Sequence, residues 1–102
     1  MSKVSQAIDA VVRSIPEGCC ASYGQVGGAL ENPVSGLIVG KILAFCEPDL
    51  PWWRVVGADG SLLTARRDPA LAVEQRARLE AEGVRLEQDR VLKQYFVEEL
   101  LA

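Results

Sequence analysis

The sequence predicts a small single α/β domain, residues 1–102, in which a helix-turn-helix is followed by a β-hairpin wing. Three observations point to it. Two helical segments follow one another with only a residue or two between them, the later one longer, which is the pattern of a helix-turn-helix. Behind them a run of β formers is broken by an Asp-Gly turn signal. The chain has 102 residues, 49% of them hydrophobic, enough to enclose one core and too few for two.

The elements follow in order. Val4, Ala7, Ile8, Val11, Val12 and Ile15 recur at i, i+3, i+4 and i+7, which predicts an amphipathic helix over 3–14, ended by Pro16 and Gly18. In "SYGQVGGAL", Ser22 and Gln25 stand three apart, the reciprocal arrangement in which each side chain satisfies a free backbone N–H, so a short helix runs from Tyr23 to Leu30. Asn32 as N-cap and Pro33 at the first helical position predict a further helix over 33–45. A helical wheel puts Val34, Ile38, Ile42 and Phe45 on one side of it and Gly36, Leu37, Gly40, Lys41 and Ala44 toward the other, where small residues allow close approach to a groove. An ordinary packed αα-hairpin has the same pattern.

Two prolines make "CEPDLP", residues 46–51, a loop. "WRVV" and "LLT", on either side of Asp59-Gly60, predict the two strands of the wing. Asp68 and Pro69 open a helix that reaches Glu82 and is closed by Gly83, with Glu74–Arg78 and Arg76–Glu80 pairing on its solvated face. A short strand over 84–86 comes next, then a strand or a helix around 91–101.

Composition removes several function classes. Without a histidine, no mechanism can use imidazole as its base. Cys19, Cys20 and Cys46 are odd in number and form no disulfide framework, and a zinc site would need all three thiolates with a carboxylate at unsuitable spacing. No metal and no cofactor are expected. No run of 18 apolar residues occurs and the N-terminus alternates polar with apolar positions, which leads us to expect a soluble cytoplasmic monomer with no membrane partner. The formal net charge of −3 runs against tight nucleic-acid binding, although local patches matter more than the total.

"PWWRVV", residues 51–56, holds both tryptophans of the chain. From composition alone the two indoles fill the core beneath the wing while Arg54 ties down backbone carbonyls.

Taken together, "SYGQV", "NPVSGLIVGK", "PWWRVVGADGSL" and "RLEAEGV" resemble the C-terminal DNA-binding domain of the 6-O-alkylguanine-DNA alkyltransferases, over residues 4–86. Those enzymes carry a Pro-Cys-His-Arg-Val motif whose cysteine takes the alkyl group irreversibly. Here Trp52 stands at the cysteine position, which is similar to the alkyltransferase-like branch that binds alkylated guanine without repairing it and marks it for nucleotide-excision repair. The chemistry agrees: Trp52 has no nucleophilic atom, and Trp53, at the histidine position, has no basic one. An indole can instead enclose a base flipped out of the duplex, worth roughly 1–3 kcal/mol per base.

The resemblance implies a non-enzymatic sensor whose partner is double-stranded DNA containing alkylated guanine. It implies DNA contacts by Tyr23, Asn32, Leu37, Lys41 and Arg54, and a lesion pocket walled by Trp52 and Trp53 and rimmed by Thr64, Arg66 and Arg67. Tyr23 matches the tyrosine that presses on the target phosphate; as an alternative, it is a hydrophobic staple. Arg66 and Arg67 bring positive charge to the rim, or are plain solvated charge. Two positions depart from the family. Leu37 replaces the arginine finger, so it can wedge between bases but cannot hydrogen-bond the orphaned partner. The asparagine before the motif falls on Glu47, which cannot donate as an amide does. The alternative function is a degenerate winged-helix relative with weak or no DNA binding, whose apolar recognition helix docks a protein. A transferase acting through Cys46 would have to swing that residue into the pocket without a histidine partner.

Overall fold

The computed structural model describes residues 2–100. Helix α1 (Lys3–Arg13) is capped by Ser2, whose hydroxyl accepts the Ser5 N–H at 3.1 Å, and it buries Ile8, Val11 and Val12. Strand β1 (Ala21–Ser22) leads directly into α2 (Tyr23–Gly28), where the expected capping box is formed: the Ser22 N–H donates to Gln25 Oε1 at 2.8 Å and the Gln25 N–H to Ser22 Oγ at 2.9 Å. Helix α3 (Gly36–Leu43) crosses α2 closely. A Cβ on Gly27 would collide with the Val34 carbonyl oxygen, and one on Gly36 would lie 3.1 Å from both Gly24 N and Tyr23 Cβ. The small residues of both helices permit this approach, and a larger side chain at Gly27 would push them apart.

Strand β2 (Val55–Val56) pairs in parallel with β1, Ala21 opposite Val55 and Ser22 opposite Val56. The helix-turn-helix therefore forms most of a crossover between two short strands in the interior. Ile8, Val11, Val12, Val26, Val39 and Val55 are each at most 1% exposed, so each aliphatic side chain contributes about 1.5–3 kcal/mol by leaving water. A second cluster gathers Cys20, Val56, Leu79, Val84 and Val91. Helix α4 (Pro69–Ala81) starts on Asp68, which accepts the Ala70 N–H at 3.0 Å. It ends as the sequence predicts: Gly83 has φ +87°, with Gly83 N–H to Glu80 O and Val84 N–H to Leu79 O, both at 3.0 Å.

Three expectations are corrected. Asn32 does not cap α3, and Pro33 does not begin it; both are exposed in the connecting loop. Val34 is tied to Gly27 by an N–H to O bond of 3.1 Å, which holds the chain out of the helix until Ser35, whose hydroxyl accepts the Ile38 N–H at 3.3 Å. The buried stripe of α3 is Val39 and Leu43, whereas Ile38 is 42% and Phe45 92% exposed. Val39 packs beside Gly27, its Cγ2 3.2 Å from where a Cβ on that glycine would stand.

The third correction concerns the wing. Trp52–Arg54 and Leu63–Arg66 are 3-10 turns, and the predicted strands do not pair. The carbonyls of Trp53, before β2, and of Val55, within it, accept from the Gln75 side chain at 3.1 and 2.9 Å, which takes the place of a returning strand. The Asp59-Gly60 turn forms nonetheless, with Gly57 N–H bonded to Ser61 O at 2.8 Å. The antiparallel hairpin of the fold is β3 (Leu86–Glu87) with β4 (Arg90–Val91). Its two-residue loop, Gln88 and Asp89, has φ of 52° and 61°, the left-handed pair that suits the twist of such hairpins. After β4 comes a 3-10 turn, Lys93–Tyr95, and then extended chain whose Val97 N–H reaches Cys20 O at 2.8 Å, so the region left open as strand or helix is largely neither. Leu101, the end of that region, lies outside the described residues.

Candidate nucleic-acid interface

A groove of about 620 Å³ opens between the α2–α3 pair and the segment that follows β2. Tyr23, the first residue of α2, is carried into it directly after the Ser22 cap. Helix α3 presents Gly36, Leu37, Gly40, Lys41 and Ala44, the face that the helical wheel set apart from the core. The opposite wall is Gly57, Ala58, Leu63, Thr64, Arg66 and Arg67. Leu37 is 70% exposed, so its side chain stands at the entrance rather than in the floor.

The electrostatics of this groove invert those of the chain. Lys41, Arg66 and Arg67 line it, no carboxylate does, and none of the three is ion-paired among the described residues. Five other arginines, at positions 13, 54, 76, 78 and 90, are each bound to an aspartate or glutamate elsewhere. The acidic balance of the chain thus leaves this face clear. Burial raises the Tyr23 hydroxyl above its ordinary value while Arg67 acts in the opposite direction, so at neutral pH it remains an O–H donor beside the cations.

Of the predicted site residues, the structure brings Tyr23, Leu37, Lys41, Thr64, Arg66 and Arg67 together in the groove. Trp52, Trp53, Arg54 and Asn32 are not among its lining residues. Arg54 has a different partner: Nε and Nη2 bind the Glu82 carboxylate at 3.0 and 2.7 Å, and Nη1 donates to the Ile15 carbonyl at 2.9 Å. With its side chain 14% exposed and its donors engaged in this way, Arg54 has no free fork for a phosphate. Trp53 joins the same arrangement. Its Nε1–H donates to Glu82 at 3.0 Å, the Arg78 guanidinium lies 4.6 Å from its ring centroid, and its ring packs on the second core cluster. Trp52 is half-buried and meets Trp53 edge-on at 6.0 Å, an interplanar angle of 85°. The tie from arginine to a backbone carbonyl is thus present, and Trp53 is a structural residue.

Two residues that shape the site escaped sequence reading. Glu82 accepts from Arg54, Trp53 and the Gly18 N–H, the last at 3.2 Å. Burial pushes its carboxyl up, but these hydrogen bonds and the charge of Arg54 outweigh that and hold it below the usual carboxylate value. Nothing at the end of a helix distinguishes such a glutamate in sequence. Gln75 is wholly buried, and its position midway between Leu71 and Leu79, four residues from each on one helical face, is the signal that could have revealed it.

The cysteines offer the groove no nucleophile. Cys20 is buried in the second core cluster, where loss of hydration pushes its thiol up to about 12. Cys46 lies in a different groove, between α1 and the end of α3, and burial raises its thiol too. Among the described residues no helix is long and apolar enough to cross a membrane.

A helix-turn-helix with a groove of one charge sign and an exposed apolar residue at its mouth defines the class of a nucleic-acid-binding domain. Comparison with known proteins identifies the family. The DNA-binding domain of 6-O-methylguanine DNA methyltransferase matches residues 3–84, and the chain belongs to this family. A DNA base-flipping protein of Vibrio parahaemolyticus is 34% identical over 79 residues, 76% of each chain. A bifunctional methyltransferase/endonuclease of Thermoplasma volcanium is 37% identical over 76 residues, 72% of this chain but 23% of that protein. Among solved structures, S. pombe Atl1 in complex with damaged DNA containing O6-carboxymethylguanine superposes with a TM-score of 0.84 at 26% identity, covering 96% of this chain and 97% of Atl1. An arginine-to-leucine variant of the M. tuberculosis O6-methylguanine methyltransferase gives a TM-score of 0.71 at 26% identity, over 87% of this chain and 53% of that one.

Proposed function

We propose that this protein binds duplex DNA at 6-O-alkylguanine, holds the modified nucleotide flipped into the groove, and does not remove the alkyl group. The observation that carries this reading is the charge inversion: an acidic chain keeps Lys41, Arg66 and Arg67 without carboxylate partners around one groove. Such cations serve to displace counterions from phosphates. Tyr23, at the groove wall on the first turn of α2, is placed to press on the backbone of the target nucleotide, and Leu37 to fill the gap that the flipped base leaves. The likeness to Atl1 and to a base-flipping protein supports the same assignment.

The absence of transfer chemistry rests on the residues. By its resemblance to the family motif, "PWWRVV" puts Trp52 where the acceptor cysteine would stand, histidine is lacking, and the raised thiols of Cys20 and Cys46 are poor nucleophiles. A lesion that is held and not repaired must pass to other enzymes, and we assign the protein the role of flagging it for nucleotide-excision repair.

Flipping is tested with 2-aminopurine placed next to 6-O-methylguanine, whose fluorescence rises when the stack opens. The expected result is a rise with the lesion duplex, none with its undamaged twin, and an unchanged intact protein mass afterwards. No rise, or a mass increase of one methyl group, overturns the proposal.

A further inference from the structure

The two walls of the groove are joined through the interior by one side chain. Tyr23, on one wall, follows directly on β1, and β1 pairs with β2, Ala21 opposite Val55. Gln75, completely buried in α4, takes hold of β2 there: its amide NH₂ donates to Val55 O at 2.9 Å and to Trp53 O at 3.1 Å. Carbonyls only accept, so the Oε1 end faces the other way, and the Thr64 hydroxyl donates to it at 2.7 Å. Thr64 belongs to the opposite wall. Among the described residues, this is the one side-chain hydrogen bond made from that wall.

Thr64 anchors the turn that carries the basic rim. Its carbonyl accepts from the Arg67 and Asp68 N–H groups, both at 3.0 Å, which closes the turn Leu63–Arg66 onto the start of α4. Arg66 and Arg67 are exposed and have no carboxylate partner among the described residues, so the turn sets where their charges stand. A buried amide satisfied at both ends has little latitude, since a shift strands a donor or an acceptor away from water. We propose that Gln75 is a positioning residue: by holding β2 and Thr64 at a fixed separation, it sets the spacing between Tyr23 and the rim of Arg66 and Arg67, and with it the fit of the groove to the flipped base. Attraction between charges falls off slowly with distance, so the grip on phosphates tolerates a shifted rim; close packing around a base does not. The inference rests on the proposed function and adds to it the residue that sets the dimension of the site.

The test breaks the bond from its Thr64 end. Thr64→Val keeps the shape and removes the hydroxyl, Thr64→Ala removes it without valine's second methyl group, and Thr64→Ser retains it. Ile8→Val, in the core behind α1, is the control for lost stability alone. Each protein is titrated with a 6-O-methylguanine duplex and its undamaged twin at several salt concentrations, at a temperature where melting curves show it folded. Thr64→Val and Thr64→Ala should lower the ratio of lesion to undamaged affinity about three- to tenfold, the span of one hydrogen bond, with the salt slope unchanged. Thr64→Ser should restore the wild-type ratio, and Ile8→Val should keep it. An unchanged ratio in Thr64→Val and Thr64→Ala, or an equal loss in Ile8→Val, overturns the positioning role while leaving lesion binding intact. A reduced salt slope in the hydroxyl-free variants places the effect in phosphate grip and overturns it too. Absence of lesion preference in the wild type overturns the function itself, and this inference with it.

Discussion

Arg54 and Glu82 form a largely buried ion pair, Nη2 to Oε2 at 2.7 Å, that joins the turn after Pro51 to the end of α4. Their side chains are 14% and 9% exposed, so each charge depends on the other. Removing one partner of such a pair strands the other, and Glu82→Ala is expected to cost about 3–5 kcal/mol, read from urea unfolding.

The same pair sets a pH dependence. Glu82 titrates below its ordinary value of 4.5 in the folded chain and near that value in the unfolded one, so the folded state favours its ionised form. The stability it contributes is fully present above the unfolded value and is lost as pH falls through the folded one. Urea midpoints for the wild type should therefore drop below about pH 4.5, and Glu82→Gln, already less stable at pH 7, should drop by less over the same range.

The two tryptophans should separate in stability. Trp53 packs against the second core cluster, donates to Glu82 and lies under Arg78, so Trp53→Ala should cost about 3 kcal/mol. Trp52 meets it edge-on and belongs to neither cluster, and Trp52→Ala should cost about 1 kcal/mol. Equal losses in thermal unfolding would mean that the pair is one structural unit.

Lys41, Arg66 and Arg67 are expected to grip phosphates. Each alanine variant should weaken binding to damaged and undamaged duplex alike and reduce the slope of log affinity against log salt by about 1. Titrations at four salt concentrations measure this. A variant with an unaltered slope would remove its residue from the interface.

Leu37 is exposed at the groove mouth, so replacing it should leave the fold intact. Leu37→Arg adds a charge and hydrogen-bond donors where leucine can only wedge, and should raise duplex affinity about tenfold at low salt with little change in melting temperature.

Local rules were legible wherever they did not compete with tertiary contacts. The capping box at Ser22 and Gln25, the Asp68 cap and the Gly83 terminus were all readable, because each is a few residues satisfying their own backbone. Asn32 is a good cap by residue type, but the Val34 N–H to Gly27 O bond delays the helix to Ser35, a contact that local sequence does not reveal. The two strands predicted on either side of Asp59-Gly60 do not pair, and Gln75, distant in sequence, satisfies the Trp53 and Val55 carbonyls instead. At the site, the groove face of α3 and the Thr64–Arg67 rim followed from pattern and resemblance together. The engagement of Arg54 by Glu82 did not, since a pair 28 residues apart leaves no local trace.

Preference of the protein for damaged over undamaged DNA is read by fluorescence anisotropy. A labelled duplex with one 6-O-methylguanine is titrated beside its undamaged twin at low and moderate salt. Tighter binding of the lesion duplex at both, with both affinities falling as salt rises, is the result predicted by Lys41, Arg66 and Arg67 lining the groove without carboxylate partners among the described residues. Equal binding of the two duplexes, or no binding of either at low salt, would contradict it.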